Sequence, residues 1–143
     1  MSVTYEELKH NFFIMTGPNV IESEDHVMKM ATEIKHIMGS FPTVKFIFKT
    51  SFDKANRTSA KSYRGVGIDE GIRILKLVKN KLNIPIITDI HECWQAPFIA
   101  EVADIIQIPA FLCRQTDLLR AAAETNKIIH IKKAQFASTD VLH

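Results

Sequence analysis

The run IPIITDI, residues 84–90, decides the fold of this chain. It sets Ile84, Ile86, Ile87 and Ile90 along one short segment, with polar groups only at Thr88 and Asp89. A strand with one wet face alternates apolar and polar residues. A run that is apolar on both faces is covered on both, as parallel strands are by their crossover helices. The run DIIQIPA (104–110) has the same character.

Short apolar runs of this kind recur along the chain: FFIMT (12–16), TVKFIFK (43–49) and KIIHIKK (127–133). Between them lie amphipathic segments. In residues 23–39, Val27, Met30, Ala31, Ile34, Ile37 and Met38 fall at helical spacing, with Ser23 as N-cap and Gly39 as the stop. Residues 68–82, 93–103 and 116–126 read as further helices, and Pro97 sits near the start of its helix, where a missing N–H costs least. Strands alternating with helices through short connections predict a parallel α/β sheet or barrel. No repeat, low-complexity tract or linker divides the 143 residues, so they read as a single domain.

Composition narrows the function classes. The chain is 46% hydrophobic and 24% charged, an ordinary globular balance. A net charge of +2 does not fit a dedicated nucleic-acid binder. The cysteines, Cys93 and Cys113, lack metal-knuckle spacing and read as free thiols of a reducing compartment. No apolar run reaches the ~18 residues of a membrane span. The segment MSVTYEELKHN has neither the basic nor the apolar region of a secretory signal, so the expected location is the cytoplasm.

Polar residues are distributed unevenly about the strands. Plain connectors (SFPT, LNIP, VA, ETN) precede them, whereas TGPN, KTSFDKANR, TDIHE, PAFLCRQ and KKAQF follow them. Ligands of α/β folds bind at the carboxyl ends of the strands, and five such clusters in succession predict one shared site there. Its rim would carry Lys49, Lys54, Arg57, Arg114, Lys132 and Lys133. So many cations repel one another unless their occupant is multiply anionic, which predicts phosphorylated or carboxylated small molecules. Asp89 and His91 suit hydroxyls, an aldehyde or proton transfer, and Gln107 and Gln115 suit neutral oxygens.

Several residues have two readings. Lys61 and Arg64 are either further anion ligands or solvated loop charges. One of Lys132 and Lys133 must face away from the site, because successive strand residues point to opposite faces. His130, inside an apolar strand, reads as a layer residue, and His10, His26, His36 and His143 as surface residues. Cys113 reads as structural.

The stretches GPNVIES (17–23), FKTSFDKANRTS (48–59), SYRGVG (62–67), TDIHE (88–92), IIQIPAFLCRQTDLL (105–119) and IHIKKAQF (129–136) together resemble the 3-deoxy-D-manno-octulosonate 8-phosphate synthases. The resemblance implies a (β/α)8 TIM barrel that condenses phosphoenolpyruvate with arabinose 5-phosphate and water. It implies that Lys49, Ser51, Lys54, Gln107, Ala110, Arg114 and Lys132 contact phosphoenolpyruvate. Asn56, Arg57 and Thr58 would hold the sugar phosphate, and Asp89 and His91 would lie near its aldehyde and hydroxyls. Lys54 would stabilise developing charge or shuttle a proton. Metal-dependent members carry cysteine where this chain has Asn19; an amide replaces a thiolate poorly, so the implied branch uses no metal or other cofactor. Val66, Cys93, Trp94 and Ala134 depart from the usual pattern at loop positions. The implied assembly is a homo-oligomer, a tetramer, without nucleic-acid or membrane partners.

A full barrel needs about 200 residues or more. The expected architecture is therefore the N-terminal portion of one, about five parallel strands and their helices, with impaired catalysis. The alternative is a non-catalytic chain that binds phosphorylated ligands or associates with intact subunits. A related synthase acting on erythrose 4-phosphate is disfavoured by KANRTS, which the resemblance ties to the five-carbon sugar.

Overall fold

A computed structural model describes residues 3–142. Five parallel strands form one sheet in chain order: β1 (Phe13–Thr16), β2 (Lys45–Lys49), β3 (Ile86–Asp89), β4 (Ile105–Ile108) and β5 (Ile128–Ile131). Helices α2 (Glu24–Met38), α3 (Ile68–Leu82), α4 (Gln95–Ala100) and α5 (Thr116–Ala123) make the four crossovers. The sheet is a curled half-barrel, the partial TIM barrel that the strand–helix alternation implies. Every strand is shorter than its apolar run: β1 and β2 begin one and two residues late, and β3, β4 and β5 are trimmed at both ends, where the chain leaves the ladder for the polar loops.

Burial follows the apolar pattern. All four residues of β3 and all four of β4 are buried, whereas β1 and β5, at the sheet's edges, are partly exposed. On the outer face Phe48, Ile86, Ile106 and Ile108 pack beneath Val27 and Ala31 of α2, Ile74, Leu75 and Val78 of α3, Ile99 of α4 and Leu118 of α5. Full burial of such a side chain is worth about 1.5–3 kcal/mol, so this layer carries the larger share of the stability.

The inner face starts apolar, with Ile47, Ile87 and Ile105 in one cluster flanked by Met15 and Ile128. Leu8 of an additional helix, α1 (Tyr5–His10), closes the bottom of that cluster. The sequence reading did not anticipate α1. Its start is a capping box: the Thr4 hydroxyl accepts from the Glu7 N–H, and the Glu7 carboxylate accepts from the Thr4 N–H at 2.9 Å.

Two residues further along each strand, the same inner face becomes polar: Ile47 leads to Lys49, Ile87 to Asp89, Ile105 to Gln107, and Ile128 to His130 and then Lys132. The register aligns Asp89 with Gln107 and Gln107 with His130. Beside Lys49, β1 gives way to Gly17, where a Cβ would stand 2.1 Å from the Lys49 carbonyl oxygen. Only glycine lets the chain pass there.

The bottom of the sheet is locked by Asp104. Its Oδ2 accepts from the Ile86 N–H and from Lys79 Nζ, both at 2.8 Å, while the same ammonium donates to the Val102 carbonyl at 2.8 Å. No helix among the described residues is long and apolar enough to cross a membrane.

Candidate functional site

The polar upper ends of the strands enclose a hollow of about 320 Å³. Lys49 from β2, Asp89 from β3 and Gln107 from β4 form its floor, and Lys132, just past β5, faces into it. Lys54, Asn56 and Arg57 reach it from the β2–α3 loop, Gly17 and Asn19 from the β1–α2 connector, and Pro109 and Ala110 from beyond β4.

The remaining residues expected at the site stand around this hollow without lining it. The Ser51 hydroxyl is buried and donates to the Asp53 carbonyl at 2.6 Å. His91 sits behind Asp89, its Nε2 3.5 Å from Asp89 Oδ2, and its ring meets the edge of Phe52 at 5.8 Å. Thr58 and Arg114 are exposed outside the hollow.

The residues with two readings separate. Lys132 faces the hollow, whereas Lys133 turns aside and donates to the carbonyls of Ala134 and Ala137 at 3.0 and 2.8 Å. Arg64 is bound to both carboxylate oxygens of Asp53, and Lys61 is exposed. His130 occupies the inner face between Ile128 and Lys132, and burial, together with Lys132 and Lys49, lowers its pKa.

Two supporting residues escaped the sequence reading. Gln95 is buried, and its side-chain oxygen accepts from the N–H groups of His91 and Glu92 at 2.8 and 3.2 Å, fixing the turn that carries His91. At the first position of a helix nothing in the sequence marks such a role. Phe52 packs directly on Gly71, where an added Cβ would stand 2.4 Å from the phenylalanine Cβ.

Charge in the hollow is unbalanced. Burial lowers the Lys49 pKa, Asp89 opposes the shift and Lys132 adds to it. Burial likewise lowers that of Lys54; Asp89 opposes, and Lys49, Arg57 and Lys132 reinforce. Burial would raise the Asp89 pKa, but His91, Lys49, Ser51 and Lys54 together outweigh it and hold it at about 2. Asp89 is thus a carboxylate at neutral pH, and its Oδ1 is buried with no hydrogen-bond partner among the described residues. Also among the described residues, no group of three or more His, Cys, Asp or Glu side chains could hold a metal ion.

One acid facing four cations is an arrangement that a multiply charged anion would complete. Residues 8–143 match the model of the DAHP synthetase I family. The chain belongs to that family. It is 60% identical over 140 residues to a 2-dehydro-3-deoxyphosphooctonate aldolase of Pisum sativum, covering 96% of this chain and 48% of the pea protein. It is 56% identical over 143 residues to 2-dehydro-3-deoxyphosphooctonate aldolase 1 of Arabidopsis thaliana, covering 99% and 49%. With the aldolase of that name from Fusobacterium nucleatum the identity is 55% over 128 residues, 90% and 46% of the two chains. The chain spans about half the length of the curated relatives it matches.

The lowered lysine pKa values give the hollow a pH signature. The unfolded chain binds more protons than the folded one between the folded and the ordinary lysine pKa, so in that window Lys49 and Lys54 make stability rise with pH. A bound anion favours the charged lysines and reverses the shift. Binding of a multiply charged anion in the hollow is therefore expected to take up protons at alkaline pH. Calorimetry in two buffers of different ionisation enthalpy measures this uptake; identical apparent enthalpies would contradict it.

Proposed function

We propose that the hollow binds phosphoenolpyruvate and D-arabinose 5-phosphate, and that the chain serves the condensation of the two with water to 3-deoxy-D-manno-octulosonate 8-phosphate and inorganic phosphate. The observation that carries this reading is the convergence of Lys49, Lys54, Arg57 and Lys132 on one small hollow with Asp89 as the sole facing carboxylate among the described residues. The names of the relatives agree with it.

In this reading Lys49, Lys132 and Lys54 take the carboxylate and phosphate of phosphoenolpyruvate, with Gln107, Ala110 and Asn19 along the walls. Ser51 and Arg114 stand on the phosphoenolpyruvate side, and Asn56 and Arg57, with Thr58 beside them, receive the sugar phosphate. The unpartnered Oδ1 of Asp89 accepts from a sugar hydroxyl, and His91 holds the opposite oxygen. C3 of phosphoenolpyruvate attacks the aldehyde carbon, water adds at C2, and the tetrahedral intermediate loses phosphate by C–O cleavage. Lys54 is placed to stabilise charge as it develops in these steps. The enzyme in this reading is cytoplasmic and homo-oligomeric.

Binding of phosphorylated ligands without turnover, or association with intact subunits, is the second reading, and the same convergence of cations on the hollow would serve such binding. One experiment separates the two. Full-length chain with both substrates is expected to release phosphate under the first reading, and to bind phosphoenolpyruvate calorimetrically without release under the second. Absence of both binding and release would remove the functional assignment.

A further inference from the structure

Tyr63 joins two parts of the molecule that are distant in sequence. Its hydroxyl lies 3.1 Å from the carbonyl oxygen of Ile21 and 3.3 Å from that of Glu22, so it donates to the β1–α2 connector across the mouth of the sheet. Its own carbonyl accepts from Arg57 Nε at 3.1 Å. That bond occupies the inner nitrogen of the guanidinium and leaves both Nη groups without a protein partner among the described residues, on a residue that lines the hollow.

The rest of the loop is pinned at its neck. The Lys54 N–H donates to the Arg64 carbonyl at 2.6 Å, the Gly67 N–H to the Phe52 carbonyl at 3.1 Å, and Arg64 pairs with Asp53. Beyond that neck, residues 55–62 make few bonds to the rest of the fold, and most are exposed. The Ile21 N–H donates to the Ser51 carbonyl at 2.8 Å and so fixes the base of the loop to the same connector, while the hydroxyl of Tyr63 ties down its far end, next to the cationic segment.

We propose that Tyr63 is a positioning residue: it straps the β2–α3 loop onto the β1–α2 connector and, through its carbonyl, aims Arg57 at the sugar phosphate. The ligand assignment rests on the proposed function; the strap does not. Lys49 and Lys132 are held by the sheet and Lys54 by the neck, where its N–H donates to the Arg64 carbonyl, so loosening the segment beyond the neck affects the anion bound by Arg57 and spares the anion bound at the floor.

The test is Tyr63→Phe, which removes one oxygen and retains the ring. Trypsin cleavage after Arg57 and Lys61 reports loop opening, and calorimetry reports the affinities for arabinose 5-phosphate and phosphoenolpyruvate separately. Loss of one partly exposed hydrogen bond is expected to accelerate cleavage and to weaken arabinose 5-phosphate, each about five-fold, with phosphoenolpyruvate affinity unchanged. Unchanged cleavage and affinity would overturn the strap. Equal weakening of both ligands would overturn the positioning role, because a purely structural residue damages the whole hollow. If the unsubstituted chain binds neither ligand, the functional reading fails, and the cleavage rate alone decides whether the strap stands.

Discussion

Replacing Lys54 by methionine is expected to weaken phosphoenolpyruvate binding about 100-fold without lowering the melting temperature. The two effects have one cause. Lys54 is buried beside Lys49, Lys132 and Arg57, and only Asp89 offsets the cost of holding its charge away from water. In the empty protein that ammonium is unfavourable, so methionine, of similar length and without charge, relieves repulsion as well as desolvation. In the proposed complex the same ammonium would face an anion at short range. Truncating one partner of a buried charge pair costs 2–5 kcal/mol or more, and each 1.4 kcal/mol is about a factor of ten in affinity. Calorimetric titration and a thermal melt on the same preparation measure both quantities. Wild-type affinity in Lys54→Met would exclude Lys54 from the binding machinery, and a marked fall in melting temperature would show that its charge is structural.

A loss of similar size, in stability instead of affinity, is expected for Asp104→Leu. Leucine removes the acceptor of both the Ile86 N–H and Lys79 Nζ, leaving a buried backbone donor unsatisfied and an ammonium without its counter-ion at the foot of β3. Breaking a buried pair from one side costs about 3–5 kcal/mol, which for a chain of this size is a fall in melting temperature of roughly 10 °C. Lys79→Met should cost less, since the lysine side chain is one-quarter exposed, and the double substitution should cost less than the sum. Urea denaturation with unchanged slope measures each. Additive losses would show that the pair is not coupled.

Asp104 and Lys54 also mark how far the sequence could be read. The double-sided apolar runs around residues 84–90 and 104–110 led to parallel strands under crossover helices, and β3 and β4 are buried throughout. Lys49, Asp89 and Gln107 could be placed at strand ends because a period of two leaves no other choice once the apolar inner residues are known. Helix α1 was missed for a physical reason: six residues with one buried apolar position, Leu8, show no helical period. Its capping box, Thr4 with Glu7, was the available signal.

Arg64 shows the opposite limit. In the sequence it is one more cation of a basic loop, and its distance of eleven residues from Asp53 says nothing about a pair. The loop folds back so that the two meet, and Arg64 is taken up in an ion pair, whereas Arg57 makes none among the described residues and gives only its Nε to the Tyr63 carbonyl. Lys132 and Lys133 were likewise known to diverge, yet only the ladder from β4 to β5 decides which one enters the hollow.

Strand positions, their order and the sign of the charge at their ends were thus determined by residue type and spacing alone, because hydrophobic burial and backbone alternation act over a few neighbouring residues. Which loop cations remain unpaired, and that Tyr63 ties one loop to another, depended on contacts between segments far apart in the chain. Those contacts exist only once β1 and β2 have paired and the loop after β2 has folded back on itself, since parallel pairing sets the two connectors side by side at one end of the sheet.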